Sequence, residues 1–259
     1  MSRLVAWHME DLPNSEPCCV IRLQAPRANA LEPGILDELH RACDALAQSD
    51  VAKALITGGP NFSTGGDVGR FAEAARAGQG ESYAAKVVSA LQALVLRMVE
   101  MPVVLASAVR GAATGGSAGI VFASDLVVAA PDAFVQPYYG VVGFAPDGGW
   151  TALLPELIGG ANAKGWIMAN HRQGAERLES LGLVQAVDPN PEARAAKLLA
   201  QIETGTALAT KSLFWDDRRR AVVKTRLEAE TESFKALIGR PETLTRMQEF
   251  LQPRDERDV

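Results

Sequence analysis

Two glycine-rich stretches, Ser63-Thr64-Gly65-Gly66-Asp67 and Gly111-Ala112-Ala113-Thr114-Gly115-Gly116-Ser117, are where the backbone of this chain could itself do chemistry. The second follows an apolar run, Pro102 to Val109, that reads as a strand, and precedes Ile120, Val121 and Phe122, which read as a helix. A strand, a Gly-Gly turn and a helix leave unpaired N–H groups at a positive helix end, and glycine lets a ligand come close to them. Such a turn suits an anionic group, although phosphate sites and simple tight packing use it too. Neither G-x-G-x-x-G nor a glycine loop ending in Lys-Ser/Thr is present, so nucleotide phosphates lose ground. A third glycine turn, Pro146-Asp147-Gly148-Gly149, carries an acid and is expected to open a helix through Leu157, where Asp147 would make a good N-cap.

Other reactive side chains add little. His8 lies near the N-terminus, His40 on the first helix and His171 in a turn, with no triad or metal spacing among them. Cys18, Cys19 and Cys43 match no metal pattern; Cys18 and Cys19, adjacent in a strand, should point to opposite faces as reduced packing residues of a cytoplasmic protein. No metal site is expected. A net charge of −5 argues against a general nucleic-acid binder, and no apolar run approaches the ~20 residues of a membrane span.

The elements that must hold these turns follow from periodicity. Cys18 to Leu23 and Lys53 to Thr57 read as strands. A helix opening at Pro33 buries Ile35, Leu36, Leu39, Cys43 and Leu46, and one over Ser82 to Met98 buries Val87, Val88, Leu91, Leu94, Val95 and Met98. Asn61 to Arg70 reads as a long loop. Asp125 to Ala130 and Ala133 to Gln136 read as further strands; helices follow at Ala161 to Met168, Gly174 to Ser180 and Pro191 to Glu203, with three more between Leu208 and Leu251. Trp215 is expected to pack in the core. Alternation first and helices alone afterwards predict an α/β core with a helical C-terminal portion.

Four motifs in order resemble the crotonase (enoyl-CoA hydratase/isomerase) superfamily over nearly the whole chain: Ala25-Pro26-Arg27-Ala28-Asn29-Ala30-Leu31, Phe62 to Asp67, Gly111 to Ser117, and Met247-Gln248-Glu249-Phe250-Leu251. The resemblance implies a spiral of ββα units, a core over 1–200, and a helical trimerisation region over 201–259 assembling a homotrimer or a dimer of trimers. It implies an acyl-CoA substrate, with coenzyme A as part of the substrate and no separate cofactor. The amides of Gly66 and Gly116 would hold the thioester oxygen, and Arg27, Ala28, Ser63 and Gly65 would lie along coenzyme A. The acyl pocket would take its walls from Ala72 to Ser82 and from the C-terminal helices.

The chain departs from the family's hydratases. Their two glutamate positions fall on Gly119 and on Tyr139, or Tyr138 by a different anchor, so ordinary hydration is not expected. Asp147 instead resembles the aspartate of the family's double-bond isomerases, which moves a proton between acyl carbons. Phe144, Tyr138, Tyr139 and Trp150 would supply the apolar surroundings that raise its pKa, and Tyr139 a hydrogen bond. The leading expectation is an acyl-CoA double-bond isomerase; the alternatives are a hydrolase or dehalogenase with Asp147 as nucleophile, and a catalytically silent acyl-CoA-binding protein.

Overall fold

A computed structural model describes residues 3–252; the ends of the core and of the C-terminal region expected above, 1–2 and 253–259, lie outside them. The chain runs β1 (Val5–Glu10), β2 (Cys18–Leu23), α1 (Pro26–Asn29), α2 (Pro33–Ala47), β3 (Lys53–Thr57), α3 (Val68–Arg76), α4 (Gly80–Glu100), β4 (Val104–Val109) and β5 (Ala112–Thr114). A 3-10 turn (Gly115–Ser117) leads to α5 (Ala118–Phe122), β6 (Leu126–Ala129), β7 (Phe134–Gln136), α6 (Tyr139–Val142), α7 (Leu154–Ile158), α8 (Gly160–Ala169), β8 (Gln173–Gly174), α9 (Ala175–Ser180) and β9 (Ala186–Val187). Four helices close the chain: α10 (Pro191–Gln201), α11 (Thr204–Phe214), α12 (Asp217–Ile238) and α13 (Pro241–Leu251).

The main sheet has the order β1-β2-β3-β4-β6-β9, with only the β1–β2 pair antiparallel. A strand buried on both faces needs no alternation, and β4 (Val-Leu-Ala-Ser-Ala-Val) has none. Leu105 and Val109 join the larger core, whereas Val104, Ala106 and Ala108 join a second core under α10. Cys19 and Cys18 divide between the same two cores, as neighbours on a strand must.

A second layer, β5-β7-β8, is extended by parallel bridges at Ser63–Ala113 and Leu31–Gly66. The chain therefore repeats one unit: a main-sheet strand, a short second-layer strand, then a helix. β3, Ser63 and α3 form one turn of this spiral; β4, β5 and α5 the next; β6, β7 and α6 a third. Each repeat delivers the start of its helix to the same edge of the second layer, which is how distant glycine turns come to face one cavity.

Three local expectations change. β1 was not anticipated; it pairs over its whole length with β2. The stretch from Asn61 to Arg70 is not all loop, because Asp67 caps α3 by accepting from Arg70 N–H at 3.0 Å. No helix opens at Gly148: Gly148 (φ +64°) and Gly149 (φ +98°) carry an irregular turn, and helix resumes only at Leu154. Asp147 is therefore no N-cap. As expected, α4 is a core helix, although long and apolar enough by composition to cross a membrane: Val87, Val88, Leu91, Leu94, Val95 and Met98 are buried, and α12, α2 and α3 pack on it.

Candidate active site

The first turn of the site is built on strain. Arg27, Ala28 and Asn29 are consecutive left-handed residues, with φ of +52°, +52° and +60°, a conformation that costs non-glycine residues about 1–2 kcal/mol each. Asn29 is what holds them. Its Oδ1 accepts from Ala25 N–H at 2.7 Å, and its Nδ2 donates to the carbonyls of Asn61 and Phe62 at 3.2 and 3.0 Å. The Ser63 hydroxyl donates to the Asn29 carbonyl at 2.7 Å and accepts from Gly65 N–H at 3.2 Å, so the strained turn and the first glycine loop are one unit. Gly65 (φ +76°) passes its carbonyl to Leu31 N–H at 2.7 Å, and Gly66 N–H is left without an acceptor among the described residues.

Gly116 is the second residue of the 3-10 turn, where an amide has no carbonyl ahead of it. Trp150 fixes this turn from behind by donating Nε1–H to the Gly115 carbonyl at 2.7 Å. Gly66 and Gly116 line one cavity of about 350 Å³ together with Arg27, Tyr139 and Asp147. A Cβ on Gly116 would lie 2.8 Å from Asp147 Oδ1 and 3.0 Å from Oδ2, so the carboxylate sits directly against this glycine. The two backbone donors and the one acid expected from sequence thus meet in one place.

Asp147 is only 6% exposed. Tyr139 donates its hydroxyl to Asp147 Oδ1 at 2.6 Å and lies 3.1 Å from the Asp147 carbonyl, while Oδ2 takes no hydrogen bond from another described residue. Burial pushes the carboxyl up to about 6, against the opposing pull of the Tyr139 hydroxyl. Tyr139 moves well above its ordinary value, first through burial and then through the charge of Asp147, and remains a donor. Tyr138 stands left-handed at φ +63° beside it, stacked edge-on against Phe250.

Of the positions that the resemblance assigns to the hydratase glutamates, Gly119 is closed as well as unsuitable, whereas Tyr138 and Tyr139 line the cavity. A Cβ on Gly119 would lie 1.7 Å from the Gly148 carbonyl oxygen, so the Gly148-Gly149 turn occupies the space a side chain at 119 would need. Nor do the remaining acids replace it: Asp67 lines the cavity but caps α3 and pairs with Arg27.

The expected coenzyme A contacts divide. Arg27 lines the cavity, its side chain 51% exposed and paired with Glu32 and Asp67. Ala28 instead borders a second, open hollow of about 520 Å³ with Arg22, Gln24 and Asn61. Ser63, 0% exposed, and Gly65 lie behind the surface and brace the loop. The apolar walls of the cavity come from Phe71, Val87, Leu91, Phe144, Phe234 and Phe250, and the stretch from Ala72 to Ser82, expected to wall an acyl pocket, is not among them. Trp150 is a buried support rather than a wall, and Trp215 packs in the core. None of the histidines reaches the cavity: His40 faces the Ala90 carbonyl and His8 pairs with Glu10. Sequence reasoning missed Glu230, a buried acid on α12 behind the Asp147 turn, because a lone glutamate on a charged helix reads as a surface residue.

Comparison with known proteins agrees with this geometry. The sequence profile of the enoyl-CoA hydratase/isomerase family matches residues 14–257. A Bacillus subtilis protein named an enoyl-CoA hydratase/isomerase, YhaR, is 32% identical over 196 residues, covering 71% of this chain and 75% of its own. The cyclohexa-1,5-dienecarbonyl-CoA hydratase of Thauera aromatica is 28% identical over 180 residues, covering 68% of this chain and 66% of its own. Among solved structures, the enoyl-CoA hydratase of Bacillus halodurans superposes with a TM-score of 0.83 at 23% identity, covering 94% of this chain and 99% of that one, which speaks for the fold. A spiral of ββα units, two glycine turns on one cavity and a family profile spanning almost the entire sequence make this chain a member of the enoyl-CoA hydratase/isomerase family.

Proposed function

We propose that the protein is an acyl-CoA double-bond isomerase in which Asp147 moves the proton and the amides of Gly66 and Gly116 hold the thioester oxygen. One observation carries the reading: the buried carboxylate of Asp147 lies against Gly116, on the cavity shared with Gly66. With a 3-enoyl thioester bound, Asp147 Oδ2 takes a proton from C2. The C–H electron pair moves into the thioester, and the negative charge on oxygen is met by two fixed N–H donors, each typically worth about 3–4 kcal/mol. The same carboxyl returns its proton to C4, and the electrons shift back to leave the double bond between C2 and C3. No water and no second base are needed.

A carboxyl titrating near 6 suits both halves of this exchange: mostly ionised at neutral pH, yet a competent acid once protonated. Tyr139 orients Oδ1 and leaves Oδ2 for the substrate. Hydration would need a water held between two carboxylates, and positions 119, 138 and 139 offer glycine and tyrosine. Covalent attack by Asp147 would require a base for the releasing water, and no histidine lines the cavity. By the same reading the protein assembles as a homotrimer or a dimer of trimers, a state in which Leu213, 80% exposed on α11, would find a partner; sedimentation equilibrium measures it.

The test follows conversion of a 3-enoyl-CoA to its conjugated 2-enoyl isomer by wild type and Asp147→Asn. Conversion by wild type, lost by about a thousandfold in the variant while coenzyme A binding persists, is the expected result. Equal conversion by both would remove Asp147 as the base. Failure of both, with a trapped acyl-Asp147 found by mass spectrometry, would favour the covalent alternative; acyl-CoA binding without exchange of its acidic protons would favour a silent member.

A further inference from the structure

The inward stripe of α12 reads Val223, Leu227, Glu230, Phe234, Ile238, all buried. Four of these do what an amphipathic helix requires. Glu230 does not: it is 5% exposed, and no Lys, Arg or His lies within ion-pair distance of it among the described residues. Its carboxylate is satisfied by the backbone of the turn after Asp147. Oε2 accepts from Gly149 N–H at 2.8 Å; Oε1 accepts from Thr151 N–H and hydroxyl, both at 2.6 Å, and from Ala152 N–H at 3.2 Å. For packing alone a leucine would serve better, since burying a carboxylate without a cation is expensive.

The turn it grips has no regular structure of its own. Gly148 and Gly149 are both at positive φ, and the turn's other side is pressed against the second glycine loop, with Gly148 against the Gly116 carbonyl and Gly119. Asp147 therefore stands on a short segment clamped from two sides, and Glu230 is one jaw. We propose that Glu230 is a positioning residue of the active site: by gathering the amides of Gly149, Thr151 and Ala152 it fixes the turn that holds Asp147 against Gly116. This rests on the isomerase reading for its kinetic consequence, but not for its structural one.

The titratable groups that bear on Glu230 are Asp147 and Tyr139, beside the donors just named; its neighbour Thr231 donates to the neutral Gln92 of α4. Burial first, and the charge of Asp147 in addition, push Glu230 up to about 7. Asp147 ionises first, while Glu230 is still mostly protonated, so the Asp147 midpoint reports on how deeply the clamped turn buries its carboxyl; a loosened turn lets Asp147 lose its proton at lower pH.

The experiment is a ¹³C-carboxyl NMR titration of Asp147 in substrate-free wild type, Glu230→Gln and Thr151→Val, paired with the pH dependence of kcat and KM on a 3-enoyl-CoA. In Glu230→Gln the Asp147 midpoint falls, the acid limb of the rate profile follows it, and kcat drops by about tenfold to a hundredfold with KM little changed, as misplacing a reacting group does. Thr151→Val, which removes one donor and keeps the amides, gives the same changes in smaller measure and decides the matter if Glu230→Gln does not fold. An unmoved midpoint, or a moved midpoint with kcat intact, overturns the proposal; so does a kcat loss that merely tracks the folded fraction. If wild type isomerises nothing yet the midpoint shifts, the reaction assignment fails and the positioning role stands.

Discussion

Asp147 is costly as well as useful. Its carboxyl titrates near 6 in the folded protein against an ordinary 3.8, so folding penalises the ionised form. That penalty is absent below the unfolded value and complete above the folded one; stability is therefore lost as pH rises between about 4 and 6. Two units correspond to about 3 kcal/mol. Asp147→Asn keeps an acceptor for the Tyr139 hydroxyl and removes the charge. It is expected to unfold later than wild type in urea at about pH 8, by up to about 3 kcal/mol, and to lose that advantage at about pH 4. Equal stability of the two at about pH 8 would mean that Asp147 is not buried as a charge.

At the scale of elements, the decisive contact is between the Gly148-Gly149 turn and α5. Gly119 is the second residue of α5, where alanine would ordinarily be the better residue by up to about 1 kcal/mol. Here the Gly148 carbonyl stands 1.7 Å from where its Cβ would be, so Gly119→Ala reverses the ordinary sign. The expected cost is about 3 kcal/mol in equilibrium denaturation, with a fall in activity as the Asp147 turn is displaced. A neutral or stabilising Gly119→Ala would show that the turn can move away, and would reopen position 119 to a side chain. The same contact leaves no room at position 119 for a side chain of any length, because the Gly148 carbonyl occupies the space it would need.

At the scale of the whole molecule, the C-terminal helices are part of the site. α12 packs along α4, sends Phe234 into the cavity and Glu230 to the Asp147 turn; α13 adds Phe250 and Leu251. Phe71 of α3, Phe144 of the loop after α6 and Phe234 of α12 meet with ring centroids 4.6 to 5.4 Å apart. A chain ending after Gln201 would strip α4 of this cover and expose Leu91, Val95 and Met98. Calorimetry on it is expected to show no cooperative transition, and dye binding should report exposed apolar surface. A truncated chain that melts cooperatively would make the boundary near residue 200 a true domain border.

Strands β2, β3, β4, β6 and β7 and the long helices were legible because their signals are local: the period of α2 and α4, the unbroken apolar run of β4, and the order of the glycine motifs all lie in consecutive residues. Gly66, Gly116 and Asp147 were legible for the same reason, each sitting in a short recognisable turn. What those turns do to one another was not. Asp147 before Gly-Gly reads as a helix cap until the fold shows that no helix follows: glycine permits the positive φ at 148 and 149, and the packing of Gly148 on Gly116 and Gly119, with Glu230 on the Gly149 amide, selects it. Glu230 reads as one more charge on a charged helix, since nothing within α12 records that three amides from residues 149–152 wait opposite it. Sequence alone determined which residues could react; tertiary packing decided their company, because burial, proximity and the resulting proton affinity depend on residues eighty positions away.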